Sequence, residues 1–242
     1  MMGKILENRP LARGYYRMSF EADFAEARPG QFVMLRVGLT HDPLLRRPMS
    51  VAGFENGVCT VIYRSVGKGT AILAEIREGE TVNALGPLGN WFDPPSDAKK
   101  ILLVGGGIGV APLRFWHRRN GGKNAVAYIG GATKEDILCK EEFAQTVITT
   151  IDGSAGTRGL ITAPLVSALE GAYVLACGPK GMLKAVDDLC KEYGATGELS
   201  LEERMGCGFG VCLGCVVDTA AGKKRLCVDG PVFKTGSVQW QF

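Results

Sequence analysis

The sequence lacks the features of a membrane-bound or nucleic-acid-binding protein. Its most apolar stretch, Ile101 to Leu113, is rich in glycine and shorter than the ~20 residues that a membrane-spanning helix needs. No run of basic residues reaches five, and the formal net charge of the 242 residues is only +3. We therefore expect neither nucleic acid nor a membrane as a partner. The first ten residues lack the apolar core of a signal peptide, which favours a cytoplasmic protein with reduced thiols.

Histidine is scarce, whereas cysteine is concentrated near the C-terminal end. Four cysteines follow the spacing C-x4-C-x2-C-x11-C, namely Cys207, Cys212, Cys215 and Cys227. The first two spacings match the C-x4-C-x2-C of plant-type ferredoxins, where thiolates hold a [2Fe–2S] cluster. The two histidines, His41 and His117, lie far from these cysteines in sequence. The pattern predicts that all four cysteines are iron ligands.

Glycines surround the first three of these cysteines, at positions 206, 208, 210 and 214. A chain that wraps an inorganic core needs positive φ angles and close backbone approach, and glycine supplies both. Its N–H groups can then turn inward and donate to the cluster sulfurs. The alternative is a structural zinc site, although such sites usually pair two C-x2–4-C knuckles or add histidines.

The first part of the chain, residues 1–95, reads as short strands separated by glycine turns. Strands are predicted over 31–37, 58–63 and 81–85, with a further candidate over 4–12. Regular short strands of this kind predict an antiparallel β-barrel or sandwich.

Two loops of this part carry the features of an anion site. Arg46 and Arg47 precede a turn fixed by Pro48, and the loop 67–70 (GKGT) opens a helix predicted over 71–77. Free N–H groups at a helix start, beside an arginine, can bind an anion such as the pyrophosphate of a flavin. Each loop is also common at ordinary solvated turns, so neither is decisive alone.

Alternating strands and helices over residues 96–197 predict a doubly wound parallel sheet. The first strand, 101–104, is fully apolar and runs into the turn 105–109 (GGGIG) and a helix that ends at Arg119. Such a turn lets a dinucleotide pyrophosphate approach the helix N-terminus. Further strands are predicted over 125–129, 147–151 and 173–177, and further helices over 134–143, 160–169 and 180–193. His117 is expected at the surface.

Residues 132–136 (ATKED) follow the second strand of this sheet and carry one lysine and two acids. The 2′-phosphate of NADPH would favour an arginine there, so this composition favours NADH. The last part, residues 198–242, is predicted to form a hairpin from strands over 216–219 and 224–228. That hairpin would return Cys227 to the other cysteines and lead into a turn and edge segment over 229–233.

The order of these features resembles the ferredoxin–NADP reductase superfamily, in which a barrel with an R-x-Y-S flavin motif precedes a nucleotide domain. The match here is Arg47-Pro48-Met49-Ser50. The resemblance implies that Arg47 pairs with the pyrophosphate of FAD and that Ser50 lies near the isoalloxazine ring. Met49 replaces the usual tyrosine, so a thioether contact replaces aromatic stacking. The remaining flavin contacts implied by the resemblance are Ile62, Tyr63, Arg64, Gly69 and Thr70.

Two further motifs resemble the nicotinamide-nucleotide motifs of this superfamily. The NAD contacts that they imply are Gly105, Gly106, Gly107, Gly109, Cys177, Gly178 and Pro179. By this resemblance Cys177 faces the space between nicotinamide and flavin, whereas its position alone favours a small buried residue at a strand end. Hydride transfer needs alignment rather than a general base, so no catalytic acid or base is assigned.

Within the superfamily, the stretch 198–215 (ELSLEERMGCGFGVCLGC) is similar to the electron-transfer subunits of class 1B dihydroorotate dehydrogenases. This implies a subunit of pyrimidine biosynthesis that passes electrons through [2Fe–2S] and FAD to NAD+. It implies as partner an FMN-containing catalytic subunit, two of each forming a heterotetramer, with the cluster loop facing that partner. Two alternatives stay open. One is a related reductase subunit that serves a ferredoxin, a hydrogenase or a sulfur-reducing partner, and the other is a zinc-stapled binding module.

Overall fold

The fold was analysed in a computed structural model, which describes residues 1–38, 42–122 and 124–241. His41 therefore lies outside the described residues. Within the described part of the chain, no helix is long and apolar enough to cross a membrane.

The first half of the chain forms a closed antiparallel barrel, as predicted. Its six strands are β1 (Met2–Ala12), β2 (Tyr15–Glu21), β3 (Phe32–Arg36), β4 (Arg47–Glu55), β5 (Val58–Arg64) and β6 (Thr81–Leu88), in the order β1-β2-β5-β4-β3-β6. Pairing of β1 with β6 closes the barrel, which leaves no free strand edge. Ile5, Phe20 and Val61 point into its core and are fully buried.

Two local predictions in the barrel were wrong. Residues 46–51 were expected to form a turn, but β4 begins at Arg47 and pairs with β3 through Pro48 and Met34. Proline is tolerated there because β4 pairs with β5 only from Val51 onward, so at Pro48 the strand has a partner on one side alone. The helix predicted over 71–77 is α1 (Lys68–Glu75), so the glycine loop forms its first turn rather than preceding it.

The second half contains the predicted doubly wound sheet. Its strands are β7 (Ile101–Gly106), β8 (Ala125–Gly131), β9 (Thr146–Thr150), β10 (Thr157–Arg158), β11 (Tyr173–Cys177), β12 (Thr196–Ser200) and β15 (Val232–Lys234), in the order β10-β9-β8-β7-β11-β12-β15. All pairings are parallel except that of β12 with β15. The helices are α2 (Val110–Arg119), α3 (Thr162–Leu165) and α4 (Lys180–Tyr193). Successive residues of β7 face opposite apolar layers, since Leu102 joins one buried cluster and Leu103 the other.

The C-terminal part begins with β12, which runs across the predicted division between residues 197 and 198. It continues as the hairpin β13 (Val216–Thr219) and β14 (Gly222–Arg225), followed by α5 (Leu226–Asp229). The second hairpin strand is thus shorter than predicted, and Cys227 lies on a short helix. The strand β15 returns to the large sheet as an edge strand, as predicted. The three-part division of the chain stays a prediction.

The helix predicted over 134–143 is absent from the described residues. Two 3-10 turns, Lys134–Asp136 and Lys140–Glu142, take its place and are separated by Cys139 at φ 56°. The first turn is fixed by Asp136, whose carboxylate accepts from the N–H groups of Ala132 and Thr133, both at 3.0 Å. The helix predicted over 160–169 is likewise shortened to α3 and a 3-10 turn over Val166–Ala168.

His117 is buried rather than at the surface. It lies on α2 with its ring centroid 5.0 Å from that of Phe143, and its Nε2 accepts from the N–H of Ala144 at 3.3 Å. Burial lowers the pKa of the imidazole. The prediction failed because the segment that covers His117 was expected to form a helix.

Candidate functional site

A cleft of about 340 Å³ lies between the barrel strands β4 and β5 and the start of α2. Six of the residues predicted to contact flavin line it, namely Pro48, Met49, Ser50, Ile62, Tyr63 and Arg64. Its far wall comes from Ile108, Ala111 and the segment 200–203 with Met205, none of which the sequence patterns identified. The cleft is therefore shared between the barrel, the nucleotide half and the C-terminal part.

The two arginines before β4 point to different places. Arg46 donates to the carbonyls of Met34 at 3.2 Å and Asn83 at 3.1 Å, so it stabilises the barrel wall. The Arg47 guanidinium lies over Gly69, where an added Cβ would approach its Nε to 2.4 Å. Only Arg47 is thus placed at the start of α1, where a phosphate could bind.

The hydroxyl of Thr70 is engaged within its own loop. It accepts from the N–H of Val66 at 2.9 Å and from the N–H of Gly67 at 3.2 Å. These bonds fix the first turn of α1, so the Thr70 side chain shapes the loop beside Arg47.

A second cleft, of about 640 Å³, runs along the carboxyl ends of the parallel strands. Four predicted nucleotide residues line it, namely Gly106, Gly107, Gly178 and Pro179. Gly109 lies behind this wall, because a Cβ there would come within 2.2 Å of the Cys177 carbonyl oxygen. Gly105 packs against Val110, with its Cβ position 3.3 Å from the Val110 Cα. The lack of a side chain at these two glycines permits the close packing of the turn, and their contact with NAD stays a prediction.

Cys177 is fully buried, and it does not appear among the residues that line either cleft in the described chain. Burial raises the pKa of its thiol. Its predicted position between nicotinamide and flavin stays a prediction, and its place at the end of β11 fits a small buried side chain.

The sequence patterns did not identify Tyr15, which reaches the nucleotide cleft from the barrel. Its hydroxyl donates to Asp136 at 2.6 Å, and its ring centroid lies 5.3 Å from the guanidinium carbon of Arg64. Burial and the bond to Asp136 raise the pKa of Tyr15 to about 12. Burial alone would raise the pKa of Asp136, but the bonds from Tyr15 and from the backbone lower it. Tyr15 and Asp136 lie 121 residues apart, on a barrel strand and on a 3-10 turn, so no local sequence pattern could have predicted their contact.

The two clefts share a wall. Arg64, Ile108 and Glu202 line both of them. Glu202 is accessible to water within the open cleft, yet the surrounding walls raise the pKa of its carboxyl group through desolvation. Molecules bound in the two clefts would therefore meet at these three residues.

The four cysteines of the C-terminal part form two pairs. The N–H of Cys207 donates to Cys212 Sγ at 3.4 Å, and the N–H of Cys212 donates to Cys207 Sγ at 3.5 Å. The N–H groups of Cys212 and Phe209 lower the pKa of Cys207 to about 6. Burial, and to a smaller extent the hydrogen bond with Cys215, raises the pKa of Cys227 to about 12.

This arrangement fits a two-iron cluster. Backbone N–H groups already point at the outer sulfurs, as thiolate ligands require, and Gly208 and Gly210 have the positive φ angles that were predicted, 85° and 90°. In the described residues, no three His, Cys, Asp or Glu side chains are grouped so as to hold one metal ion. Two thiol pairs match the two irons of a [2Fe–2S] cluster, which four Cys thiolates hold.

The thiol pairs differ in exposure. Cys215 and Cys227 are buried, in the same apolar cluster as Phe32 and Met34 of the barrel. Phe32 also lines the flavin cleft, so the inner thiols and that cleft share one packed core. The outer side is exposed and apolar. We call its four exposed apolar residues, Phe209, Val211, Leu213 and Val228, the cluster rim.

Comparisons with known proteins agree with this geometry. Residues 202–239 match the family model described as the iron-sulfur cluster binding domain of dihydroorotate dehydrogenase B. A protein of Geobacillus sp. (strain WCH70), named dihydroorotate dehydrogenase B (NAD(+)), electron transfer subunit, is 41% identical over 97% of this chain and 96% of its own. A protein of the same name from Desulforamulus reducens is 40% identical over 98% and 97%.

Solved structures show the same fold. The structure of an NADH-dependent reduced ferredoxin-NADP oxidoreductase, described for flavin-based electron bifurcation, superposes with a TM-score of 0.85 and 29% identity, covering 99% of this chain and 90% of that one. A ferredoxin NADP+ reductase from Neisseria gonorrhoeae, solved with bound FAD and NADP, gives a TM-score of 0.65 over 80% and 91%. Its identity of 18% supports the fold alone.

Proposed function

Because the chain belongs to the family of the electron transfer subunits of dihydroorotate dehydrogenase B, we propose that it carries electrons from a catalytic subunit to NAD+ in pyrimidine biosynthesis. The observation that carries this proposal is the wall shared by the two clefts, with the cysteine pairs packed against the same core. When bound, FAD exchanges a hydride with NAD and single electrons with a [2Fe–2S] cluster.

The barrel residues hold the flavin. Arg47 and the first turn of α1 at Gly69 bind the pyrophosphate, since a guanidinium and free helix N–H groups favour an anion there. Met49, Ser50 and the β5 residues that line the smaller cleft bind the ring side of FAD. The buried Met49 gives an apolar wall of moderate polarisability in place of an aromatic one.

The glycine turn of β7 holds the dinucleotide. Gly107 lets its pyrophosphate approach the start of α2. Gly178 and Pro179 lie directly beside Gly106 on the same wall of the cleft, since a Cβ on Gly106 would be 2.7 Å from Pro179 Cδ. Arg64, Ile108 and Glu202 then hold the nicotinamide next to the flavin.

The four thiolates of Cys207, Cys212, Cys215 and Cys227 are the cluster ligands. The outer pair, half-buried Cys207 and exposed Cys212, and the cluster rim face the catalytic subunit, because electron transfer needs a short path and an apolar rim excludes water from an interface. We propose that this partner contains FMN and that two copies of each subunit assemble. A cytoplasmic location fits eight cysteines that are all free thiols in the chain.

A reconstitution experiment tests the proposal. The catalytic subunit would be mixed with this chain, loaded with FAD and iron, and NADH formation from dihydroorotate and NAD+ would be followed. The expected result is NADH formation that requires both proteins and is lost with Cys227→Ser, which removes one buried ligand, but not with Cys190→Ser. If the catalytic subunit reduced NAD+ equally well without this chain, the proposal would fail.

A further inference from the structure

One carboxylate connects the barrel to the nucleotide half behind both clefts. Glu142, on the second 3-10 turn after β8, binds Arg114 of α2, with Arg114 Nε 2.6 Å from its Oε2. The other carboxylate oxygen of Glu142 accepts from Arg17 of the barrel strand β2. Arg114 is 4% exposed and Glu142 is half-buried, so this contact is largely screened from water.

Arg114 also contacts the strand that carries the flavin residues. Its Nη1 donates to the Ala52 carbonyl of β4 at 2.7 Å. Ala52 follows Met49 and Ser50, which line the smaller cleft. Arg114 Nη2 also lies 2.5 Å from Glu142 Oε2, and its Nη1 lies 3.3 Å from the position that a Cβ on Gly53 would take. Contacts with Glu142, Ala52 and the backbone at Gly53 therefore hold the guanidinium beside β4.

The position of Arg114 along α2 gives this contact a functional meaning. Ala111, about one turn earlier, lines the flavin cleft, and the glycine turn that precedes α2 lines the nucleotide cleft. The planar guanidinium therefore joins the element that carries the nucleotide turn to the strand that carries the flavin residues. A planar guanidinium that bonds Glu142 and the Ala52 carbonyl through different nitrogens fixes such a separation, whereas the ammonium group of a lysine at the same place would not.

We propose that Arg114, held by Glu142, is a positioning residue for hydride transfer, which sets the separation of α2 from β4 and hence of nicotinamide from flavin. The inference rests on the proposed function. Hydride transfer requires the reacting atoms to approach to about 3–3.5 Å, and a misplacement of about 1 Å lowers such rates by up to about 100-fold. Loss of Arg114 should therefore slow the transfer much more than it weakens binding.

The same helix provides a control of the same residue type, although its side chain is 40% exposed where that of Arg114 is 5% exposed. Arg119, at the other end of α2, also crosses to the barrel, where its Nη1 donates to the Ala27 carbonyl at 2.8 Å and its Nη2 binds Glu26. It thus makes the same kinds of bond between the same halves of the chain. However, Ala27 and Glu26 precede β3 and do not line the flavin cleft.

The test compares Arg114→Met, Arg119→Met and the wild-type chain, each loaded with FAD. Stopped-flow absorbance gives the rate of flavin bleaching by NADH, calorimetry gives the NAD+ dissociation constant, and the long-wavelength charge-transfer band reports nicotinamide–flavin contact without turnover. For Arg114→Met we expect bleaching about 10- to 100-fold slower, a weakened band and an NAD+ dissociation constant within about 3-fold of wild type. Arg119→Met should match the wild-type chain in all three measurements. Glu142→Gln keeps the shape of the side chain and should likewise slow flavin bleaching while leaving the NAD+ dissociation constant nearly unchanged. It replaces Arg114→Met in the test if that variant does not fold.

Two results would overturn the proposal alone, namely wild-type rate and band for Arg114→Met, or an equal loss for Arg119→Met. In the second case the effect would be general loosening of the two halves. A wild-type chain that NADH does not bleach would overturn the proposed function together with this inference.

Discussion

Gly69 offers a direct test of the phosphate site, because its lack of a side chain leaves room for Arg47. In Gly69→Ala the new Cβ would lie 2.4 Å from Arg47 Nε and 2.7 Å from its Cζ. These atoms are the far end of a flexible side chain, so the guanidinium can move away at little cost to folding. The variant should therefore fold normally but lose the charge-assisted bond between Arg47 and the FAD pyrophosphate.

The size of the effect follows from that bond. A hydrogen bond to a charged group contributes about 1.5–3 kcal/mol, which corresponds to roughly 10- to 150-fold in the FAD dissociation constant. The constant would be measured by flavin fluorescence on serial dilution, and urea unfolding without FAD would check the fold. Gly67→Ala is the control, since a Cβ there meets no atom within 4 Å and its φ of −168° suits any residue. If Gly69→Ala held FAD as tightly as the wild-type chain, Arg47 would not bind the pyrophosphate.

Three further predictions concern the cluster, its partner and the contact between the two halves. Cys227→Ser should lose most of the roughly two irons per chain, whereas Cys190→Ser should keep them, as measured by iron analysis; equal iron in both would exclude Cys227 as a ligand. Val211 of the cluster rim is 73% exposed, so Val211→Asp should weaken co-purification with the catalytic subunit without changing the thermal midpoint of this chain. The loss should be at least as large as that caused by the charge reversal Lys224→Glu. If both variants co-purified as the wild-type chain does, the interface would lie elsewhere. Burial alone would raise the pKa of Glu142, but Arg114 and Arg17 lower it, and Arg118 Nη1 lies 3.7 Å from the same carboxylate. Its stabilising effect is therefore present above its ordinary pKa of 4.5 and is lost as pH falls through the lower folded value. Urea unfolding from about pH 6 to pH 3 should therefore show a shallower acid loss for Glu142→Gln, and an unchanged slope would refute the pairing.

The features predicted from sequence are those that a short stretch of chain determines by itself. The apolar run 101–104 becomes β7 as predicted. Of the four glycines predicted to need positive φ angles, Gly208 and Gly210 have them, whereas Gly206 and Gly214 do not. The resemblance to a known family placed Met49 and Ser50, and they do line one cleft.

The features that were missed depend on contacts between distant segments. Tyr15 and Asp136 are 121 residues apart, and Arg114 and Glu142 are 28 apart, so neither pair has a local signature. The segment around Asp136 has helix-forming residues, yet its carboxylates are used to fix turns and bind the barrel. Glu202 precedes the cysteine motif and was therefore read as part of it, although it lines both clefts.

The most direct test of the electron path is an anaerobic visible spectrum of the purified chain, before and after NADH is added. The account predicts a flavin band with overlapping iron–sulfur absorption, and NADH should bleach both, because the clefts share a wall and the cysteine pairs pack on the same core. Bleaching of the flavin with iron–sulfur absorption that NADH leaves unchanged would break the path between FAD and the cluster. A chain that binds neither cofactor, even after reconstitution, would contradict the central claim.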